Sequence, residues 1–234
     1  MKSKKLIFGF LGGMGSISSA DIFNRLVFKV PSKNDQNYPE IILYNNSNIP
    51  DRTKAIFKNN DEIYKYFENS IYYFNKCNVD YFAVLCITAH YFIEKMKIRS
   101  PKLINLIDLT MKEIITRAKE NSKIGILASH GSIKTRIWQN RLIKNNFKPV
   151  VLEESEQERL IHKAIYGKNG IKKGNLSKNN KNLVKKAVNI LDKLNCDFII
   201  SGCTEISIIT ARLNNKKIID PVSCLINEVI KLNY

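Results

Sequence analysis

The sequence predicts an α/β protein of two pseudo-symmetric lobes, each a four-stranded, mostly parallel sheet flanked by helices, with the active site in the cleft between them. Three observations predict it: short β-rich apolar runs alternating with longer helical periods, an internal repeat at half the chain length, and matching cysteines that close two repeated strands. Strands are read at 5–11, 40–45, 80–86, 102–107, 123–128, 148–152, 197–201 and 216–219. Helical patterns lie near 18–29, 60–77, 88–98, 109–121, 133–145, 155–167, 179–195 and 221–231. Such alternation puts helices on both faces of parallel sheet. The Gly-, Asn- and Lys-rich stretch 167–182 reads as a surface loop, too short for a domain boundary.

The repeat carries most of the information. Asp80-Tyr-Phe-Ala-Val-Leu-Cys86 aligns with Asp197-Phe-Ile-Ile-Ser-Gly-Cys203, each a buried-type strand running from Asp to Cys. Cys203 follows Cys86 by 117 residues, half of the 234 in the chain. Phe8-Gly9-Phe10-Leu11-Gly12-Gly13-Met14-Gly15-Ser16 aligns with Ile124-Gly-Ile-Leu-Ala-Ser-His130-Gly131-Ser132 at an offset of 116. Two segments sharing nearly one offset point to duplication. The first lobe is expected to take residues 1–108 plus about 221–234, because the closing helix is read as crossing back, and the second 109–220. An eight-stranded barrel is the alternative, since about 250 residues is typical of that fold. In either architecture ligands bind at the carboxyl ends of the strands, where Cys86 and Cys203 stand.

Composition excludes several classes. No apolar stretch approaches the ~18 residues of a membrane span. The basic, apolar start runs quickly into glycines without a cleavage pattern, so it reads as a first strand of a cytoplasmic protein. The net charge of +17 comes from 30 lysines and 8 arginines scattered along the chain with 27 asparagines. No helix-turn-helix, zinc spacing or aromatic RNA-binding signature accompanies them, so no nucleic-acid partner is expected. The field can still attract an acidic substrate. Five cysteines with no Cys-x-x-Cys pair argue against a disulfide framework and a zinc site, leaving reduced thiols and no metal.

Two thiols in equivalent positions of facing lobes can approach one α-carbon from opposite sides. A thiolate then removes a proton from one face while a thiol returns one to the other. Cysteine suits this, since its pKa of about 8.5 responds to its environment. Cys86-Ile-Thr88-Ala-His90 and Cys203-Thr204-Glu205 both lead from strand end to helix start, where hydroxyls and backbone N–H groups can hold a carboxylate and favour a thiolate. Cys77, Cys196 and Cys224 share no such context and are read as packing. His90 is either a tuner of Cys86 or a satisfied structural histidine. His130 at its Gly-rich turn is a candidate to face the cleft, and Glu205 to cap its helix or orient a substrate nitrogen.

The ordered motifs resemble the aspartate/glutamate racemase family over nearly the whole chain. Gly12-Gly13-Met14-Gly15 resembles its first-strand glycine loop, Ile49-Pro50-Asp51-Arg52-Thr53 its carboxylate-binding loop, and Asn169-Gly-Ile-Lys172-Lys-Gly174 its basic loop. Cys86-Ile-Thr-Ala-His90 and Gly202-Cys203-Thr204-Glu205 resemble its two cysteine motifs. The resemblance implies a cofactor-independent amino-acid racemase acting on aspartate or glutamate, with Cys86 and Cys203 as the catalytic pair. It implies Met14, Arg52, Thr88, Ser132, Lys172 and Thr204 around the substrate, with neither pyridoxal phosphate nor metal. A homodimer is compatible with it. Ile87 stands where the family has Asn, and Ser16 where it has Pro, so the substrate is less well specified than the reaction. Hydantoin racemases, maleate-type isomerases and decarboxylases of related architecture are the alternatives, as is a small-ligand binding protein whose catalysis has decayed at Ile87.

Overall fold

A computed structural model describes residues 5–234; the basic lead at 1–4 lies outside them. The strands are β1 (Ile7–Gly12), β2 (Glu40–Asn45), β3 (Tyr81–Val84), β4 (Lys102–Leu103), β5 (Lys123–Ile126), β6 (Lys148–Val151), β7 (Phe198–Ile200) and β8 (Ile218–Ile219). They divide into two four-stranded sheets, ordered β2-β1-β3-β4 and β6-β5-β7-β8, and every pairing is parallel. Two separate sheets replace the barrel alternative. β1 and β5 sit inside their sheets and bury both faces, which explains their nearly unbroken apolar sequences.

The helices are α1 (Ser16–Lys29), α2 (Arg52–Lys58), α3 (Ile63–Lys76), α4 (His90–Ile93), α5 (Leu106–Arg117) and α6 (His130–Lys134). They continue with α7 (Ile137–Lys144), α8 (Glu154–Glu156), α9 (Lys163–Tyr166), α10 (Lys178–Lys193), α11 (Thr204–Thr210) and α12 (Pro221–Asn233). A π-helical turn, Gln157–His162, joins α8 to α9. Among the described residues, no helix is long and apolar enough to cross a membrane.

The repeat is visible in the bonds that start each half. The Asp80 carboxylate accepts from Ile7 N–H at 2.9 Å, and Asp197 accepts from Lys123 N–H at 2.8 Å. Asn78 and Asn195, two residues earlier, both take left-handed backbone, with φ of 54° and 58°. Asn105 caps α5 through Ile107 and Asp108 N–H, and Asp220 caps α12 through Val222 and Ser223 N–H. These equivalent helices then pack on each other; α5 also meets α7 and β8, and α12 meets α1 and α11. One apolar cluster therefore runs through both halves, with Phe8, Phe10, Trp138, Ile219, Val222 and Leu225 among its buried members.

Three sequence readings shift. The strand read at 102–107 ends at Leu103, because Asn105 caps the next helix and draws Leu106 and Ile107 into it. The helix read at 133–145 is two helices. Thr135 Oγ1 turns back onto the carbonyls of Gly131 and Ser132, and Arg136 follows at φ 54°. Of the short helices, α2 was not read from the sequence, and α11 only as a helix start after Cys203 with no extent.

Arg25 of α1 ties the halves together from below. Its guanidinium donates to Ser207 Oγ at 2.8 Å and Ser223 Oγ at 2.9 Å and pairs with the Asp220 carboxylate, which is 7% exposed. Arg25→Ala leaves that carboxylate without its cation and should cost about 3 kcal/mol. Urea denaturation measures the loss; an unchanged midpoint and slope would show the bridge to be dispensable.

Candidate active site

The carboxyl ends of β1, β3, β5 and β7 carry the chemistry-bearing residues. Cys86 lies two residues past β3, and Cys203 three past β7, as the N-cap residue of α11. They are 7% and 6% exposed.

A chain of polar contacts starts at the Met14 carbonyl, in the loop after β1. It accepts from Arg52 Nη2 at 2.7 Å and from Lys172 Nζ at 2.6 Å, so two cations from opposite halves converge on one oxygen. Lys172 Nζ also pairs with Glu205 Oε1 at 2.8 Å, and Glu205 Oε2 accepts from the Cys203 thiol at 2.9 Å. Thr204 Oγ1 lies 3.3 Å from Ser18 Oγ and 3.4 Å from Glu205 Oε2. A Cβ at Gly15 would stand 2.6 Å from Glu205 Oε1, so any larger residue there would push that carboxylate aside.

Arg52 is buried at the start of α2, which Asp51 caps through Lys54 N–H. Its Nη1 donates to the carbonyls of Ile49 and Pro50 at 3.0 and 2.8 Å. Its Nε–H is buried without a partner, and no carboxylate pairs with it among the described residues. The fork read from sequence as a substrate clamp is thus half used in holding two loops. One edge is left for an anion.

A second cluster is built from hydroxyls. Thr88 Oγ1 lies 2.8 Å from Ser129 Oγ and 3.0 Å from Ser132 Oγ, joining the halves at the start of α6. Ser129 caps α6 through Ser132 N–H. A Cβ on Gly131 would stand 2.8 Å from Thr53 Oγ1 and 2.9 Å from Thr88 Cγ2. Thr53 Oγ1 in turn lies 3.5 Å from the Tyr166 hydroxyl.

Electrostatics separate the partners. Burial pushes the Cys203 thiol well above its usual value, and the charge of Glu205 pushes it further while Lys172 opposes. The lowering expected from the helix start is overridden. Burial also raises Glu205, but the charge of Lys172 and hydrogen bonds from Cys203 and Lys172 outweigh it and hold the carboxyl below its usual range. Burial works against the Lys172 charge, yet Glu205 and then Cys86 and Cys203 hold it above its usual value. The ammonium therefore feels both thiols. Burial raises Tyr166 as well, followed by the nearby Cys203.

Of the residues singled out in the sequence, Met14, Arg52, Lys172, Thr204, Glu205 and Cys203 form one connected network, and Thr88 and Ser132 form another. His90 is a structural bridge. Its Nδ1 is bonded to the Cys86 carbonyl at 2.9 Å and its Nε2 accepts from Leu106 N–H at 3.3 Å, tying the end of β3 to α5. Its pKa is lowered by burial. Ile87, 1% exposed, joins the apolar cluster that holds Leu85, Leu106 and Trp138. Cys196 packs in a core and Cys224 is half-buried, its thiol pushed up by burial to about 12, but Cys77 is exposed at the end of α3 rather than packed. His130 stacks on His162 with ring centroids 4.6 Å apart, and its pKa is lowered by burial and by His162. Ser18, Ser129 and Tyr166 were missed in the sequence. Small hydroxyls carry no spacing signal, and only the fold reveals their neighbours.

Residues 11–229 match the model of the Asp/Glu/hydantoin racemase family. The chain is 25% identical over 228 residues to the broad specificity amino-acid racemase of Bacillus subtilis, covering 95% of this chain and 96% of that protein. Its fold is similar to that of Picrophilus torridus aspartate racemase, with a TM-score of 0.81 and 24% identity over 97% of this chain and 94% of the other. An aspartate racemase homologue from Pyrococcus horikoshii is similar at a TM-score of 0.73 and 21% identity, over 98% and 99% of the two chains.

Two predictions follow from the geometry around Cys203 and Ile87. Glu205→Gln removes two of the influences that raise the Cys203 thiol and frees Lys172 to lower it. The thiolate, read by ultraviolet absorbance against pH in a variant lacking the other four cysteines, should then form at lower pH; an unmoved titration would remove Glu205 from control of the thiol. The same substitution should narrow the stable pH range. Glu205 titrates below its unfolded value of about 4.3, so its stabilisation is full above that pH and is lost as pH falls through the depressed folded value. Lys172, raised above about 10.4, contributes fully below that pH and loses its contribution as pH climbs through the folded value. Ile87→Asn should cost about 2–3 kcal/mol in chemical denaturation by burying an amide among apolar side chains. A variant as stable as the parent would mean that side chain can turn to a polar surface.

Proposed function

Since the chain belongs to the Asp/Glu/hydantoin racemase family, we propose that it interconverts the enantiomers of an amino acid by passing the α-proton between Cys86 and Cys203. The observation that carries this reading is the placement of two buried thiols at equivalent strand ends of a duplicated fold, both within the field of the Lys172 ammonium. One thiolate takes the α-proton and the opposite thiol gives its own to the other face. The product leaves the two sulfurs with exchanged protonation. No net proton, electron or water is consumed, and the scheme draws only on the two sulfurs and the charged groups around them.

Charge builds on the substrate carboxylate as the α-carbon loses its proton, and the unpaired edge of Arg52 supplies a buried cation for it. Glu205 offers its carboxylate to the substrate ammonium. Each thiol is less than a tenth exposed, which keeps both sulfurs away from bulk water.

Arg52 and Lys172 favour aspartate or glutamate as substrate. A second reading, racemisation of neutral amino acids as well, is favoured by the Lys172–Glu205 pair, which leaves Arg52 as the one uncompensated cation of the network. Specificity constants for acidic and neutral amino acids decide between the two.

Cys86→Ser and Cys203→Ser test the mechanism in heavy water. Each should lower racemisation by at least ~10²–10⁴-fold, because a hydroxyl is far less acidic than a thiol. Each variant keeps one thiol and should still exchange the α-proton of a single enantiomer without inversion, with the enantiomer switching between variants. Racemisation at parental rates in both would rule out the two-thiol scheme.

A further inference from the structure

We propose that His130, Glu158 and His162 form a binding site for a divalent metal ion of the Zn²⁺ class, next to the Thr88 and Ser132 hydroxyl cluster. The site is independent of the thiol reaction and draws on residues that the reaction leaves unused.

Each of the three side chains offers one ligand atom, and these atoms lie within 4.8 Å of one another. His130 Nε2 is 3.5 Å from Glu158 Oε2, and His162 Nε2 is 4.0 Å from Glu158 Oε1. Both distances exceed the ~2.7–3.2 Å of a nitrogen-to-oxygen hydrogen bond, so neither imidazole is satisfied by the carboxylate. They match better the spacing of ligands around a shared tetrahedral ion, where bonds of about 2.0–2.2 Å put neighbouring donors roughly 3.4 Å apart. His162 Nδ1 is buried with no hydrogen-bond partner, so the ring is held by stacking on His130 and Tyr166 and not by a hydrogen bond.

Backbone geometry supports the cluster. Glu158 and His162 are four apart on the π-helical turn Gln157–His162, and such turns are frequent at functional sites. His130 comes to them from the first residue of α6. The side chains of His130, His162 and Glu158 are 28%, 33% and 61% exposed, so an ion can reach all three. Two histidines and one carboxylate are a ligand set suited to zinc, with a fourth position left to water.

The ion would act on the hydroxyl cluster and on Thr53 through two contacts. His130 precedes Gly131 and Ser132, and Ser132 belongs to the hydroxyl cluster with Thr88. His162 stacks on Tyr166 at 5.0 Å, and the Tyr166 hydroxyl lies 3.5 Å from Thr53. Metal binding would tie the start of α6 to that aromatic stack.

Thiols also bind zinc, so the test removes all five, the exposed Cys77 included. The full-length chain with every cysteine replaced by serine, its circular dichroism matching that of the parent, is stripped with chelator, titrated with Co²⁺ and followed by calorimetry and visible absorption. About one cobalt per chain is expected, with d–d bands and no sulfur-to-metal charge transfer. Adding His130→Ala and His162→Ala should weaken binding by more than the ~10–100-fold that outer-shell changes cost. Glu158→Gln, at the most exposed of the three positions, should weaken it without altering the far-ultraviolet circular dichroism. No binding in the thiol-free chain, or binding indifferent to the histidines and Glu158, overturns the proposal. So does cobalt held by the parent chain with thiolate charge transfer and lost with the cysteines.

Discussion

The buried ion pair between Lys172 and Glu205 is the constraint on which the rest of the site depends. Removing each ion from water costs several kcal/mol, and attraction between them offsets this only when their remaining hydrogen-bonding capacity is also met. Here it is met in part, from both halves; Glu205 Oε1 has the Lys172 ion pair and no further partner. Lys172 gives a second hydrogen bond to the Met14 carbonyl of the first half, and Glu205 takes one from the Cys203 thiol of the second. The loop after β1 and the turn carrying Lys172 therefore have to meet, and Gly15 is the residue whose missing side chain lets them. Arg52 then shares the Met14 oxygen and so inherits its position from the pair.

Duplication explains why two thiols exist, and divergence explains why they differ. Asp80 and Asp197 fix the start of equivalent strands in the same way, so the frames that present Cys86 and Cys203 remain alike. The residues after the cysteines have parted. Four positions beyond Cys86, His90 bonds to the Cys86 carbonyl and to the start of α5. Four beyond Cys203, Ser207 Oγ donates to Asp220, the cap of α12. Two positions on, Ile87-Thr88 faces core and hydroxyl cluster, where Thr204-Glu205 supplies a hydroxyl and a charge. A symmetric frame thus carries two chemically unequal thiols.

The sequence made the strands legible because buried parallel strands are short, apolar and bounded by turns, and because the repeat supplied each observation twice. Its failures share a cause. Thr204–Thr210 is rich in β-branched residues that disfavour helix, and complete burial of the segment overrides the preference. The break at Arg136 comes from a threonine bonding back to carbonyls, which leaves no trace in a hydrophobic period. At the site, the charged and thiol residues were readable from motif and spacing. Ser18, Ser129 and Tyr166 were not, nor was the meeting of His130 with Glu158 and His162, since each depends on distant segments being brought together. Ile87 illustrates the limit most clearly: neighbouring positions on one loop turn to opposite surroundings, and only the backbone tells which.

Unequal thiols have a consequence for two-base chemistry. A base must lose its proton before it can accept another, and an acid must keep its own until needed. Burial and Glu205 hold Cys203 as a thiol in the free site. In the proposed reaction, Cys203 is thus ready as the acid and poorly prepared as the base. A substrate ammonium drawing the Glu205 carboxylate to itself would remove one of the influences that raise the thiol, leaving Lys172 to stabilise the thiolate. The base would then be armed by the substrate it acts upon, in one direction of the reaction. The opposite direction, in which Cys203 donates, retraces the same path and ends with Cys203 as the thiolate, so it draws on the same change at Glu205 at its close. The asymmetry therefore lies in which protonation form the free site holds, and so in which enantiomer meets a site already prepared for it.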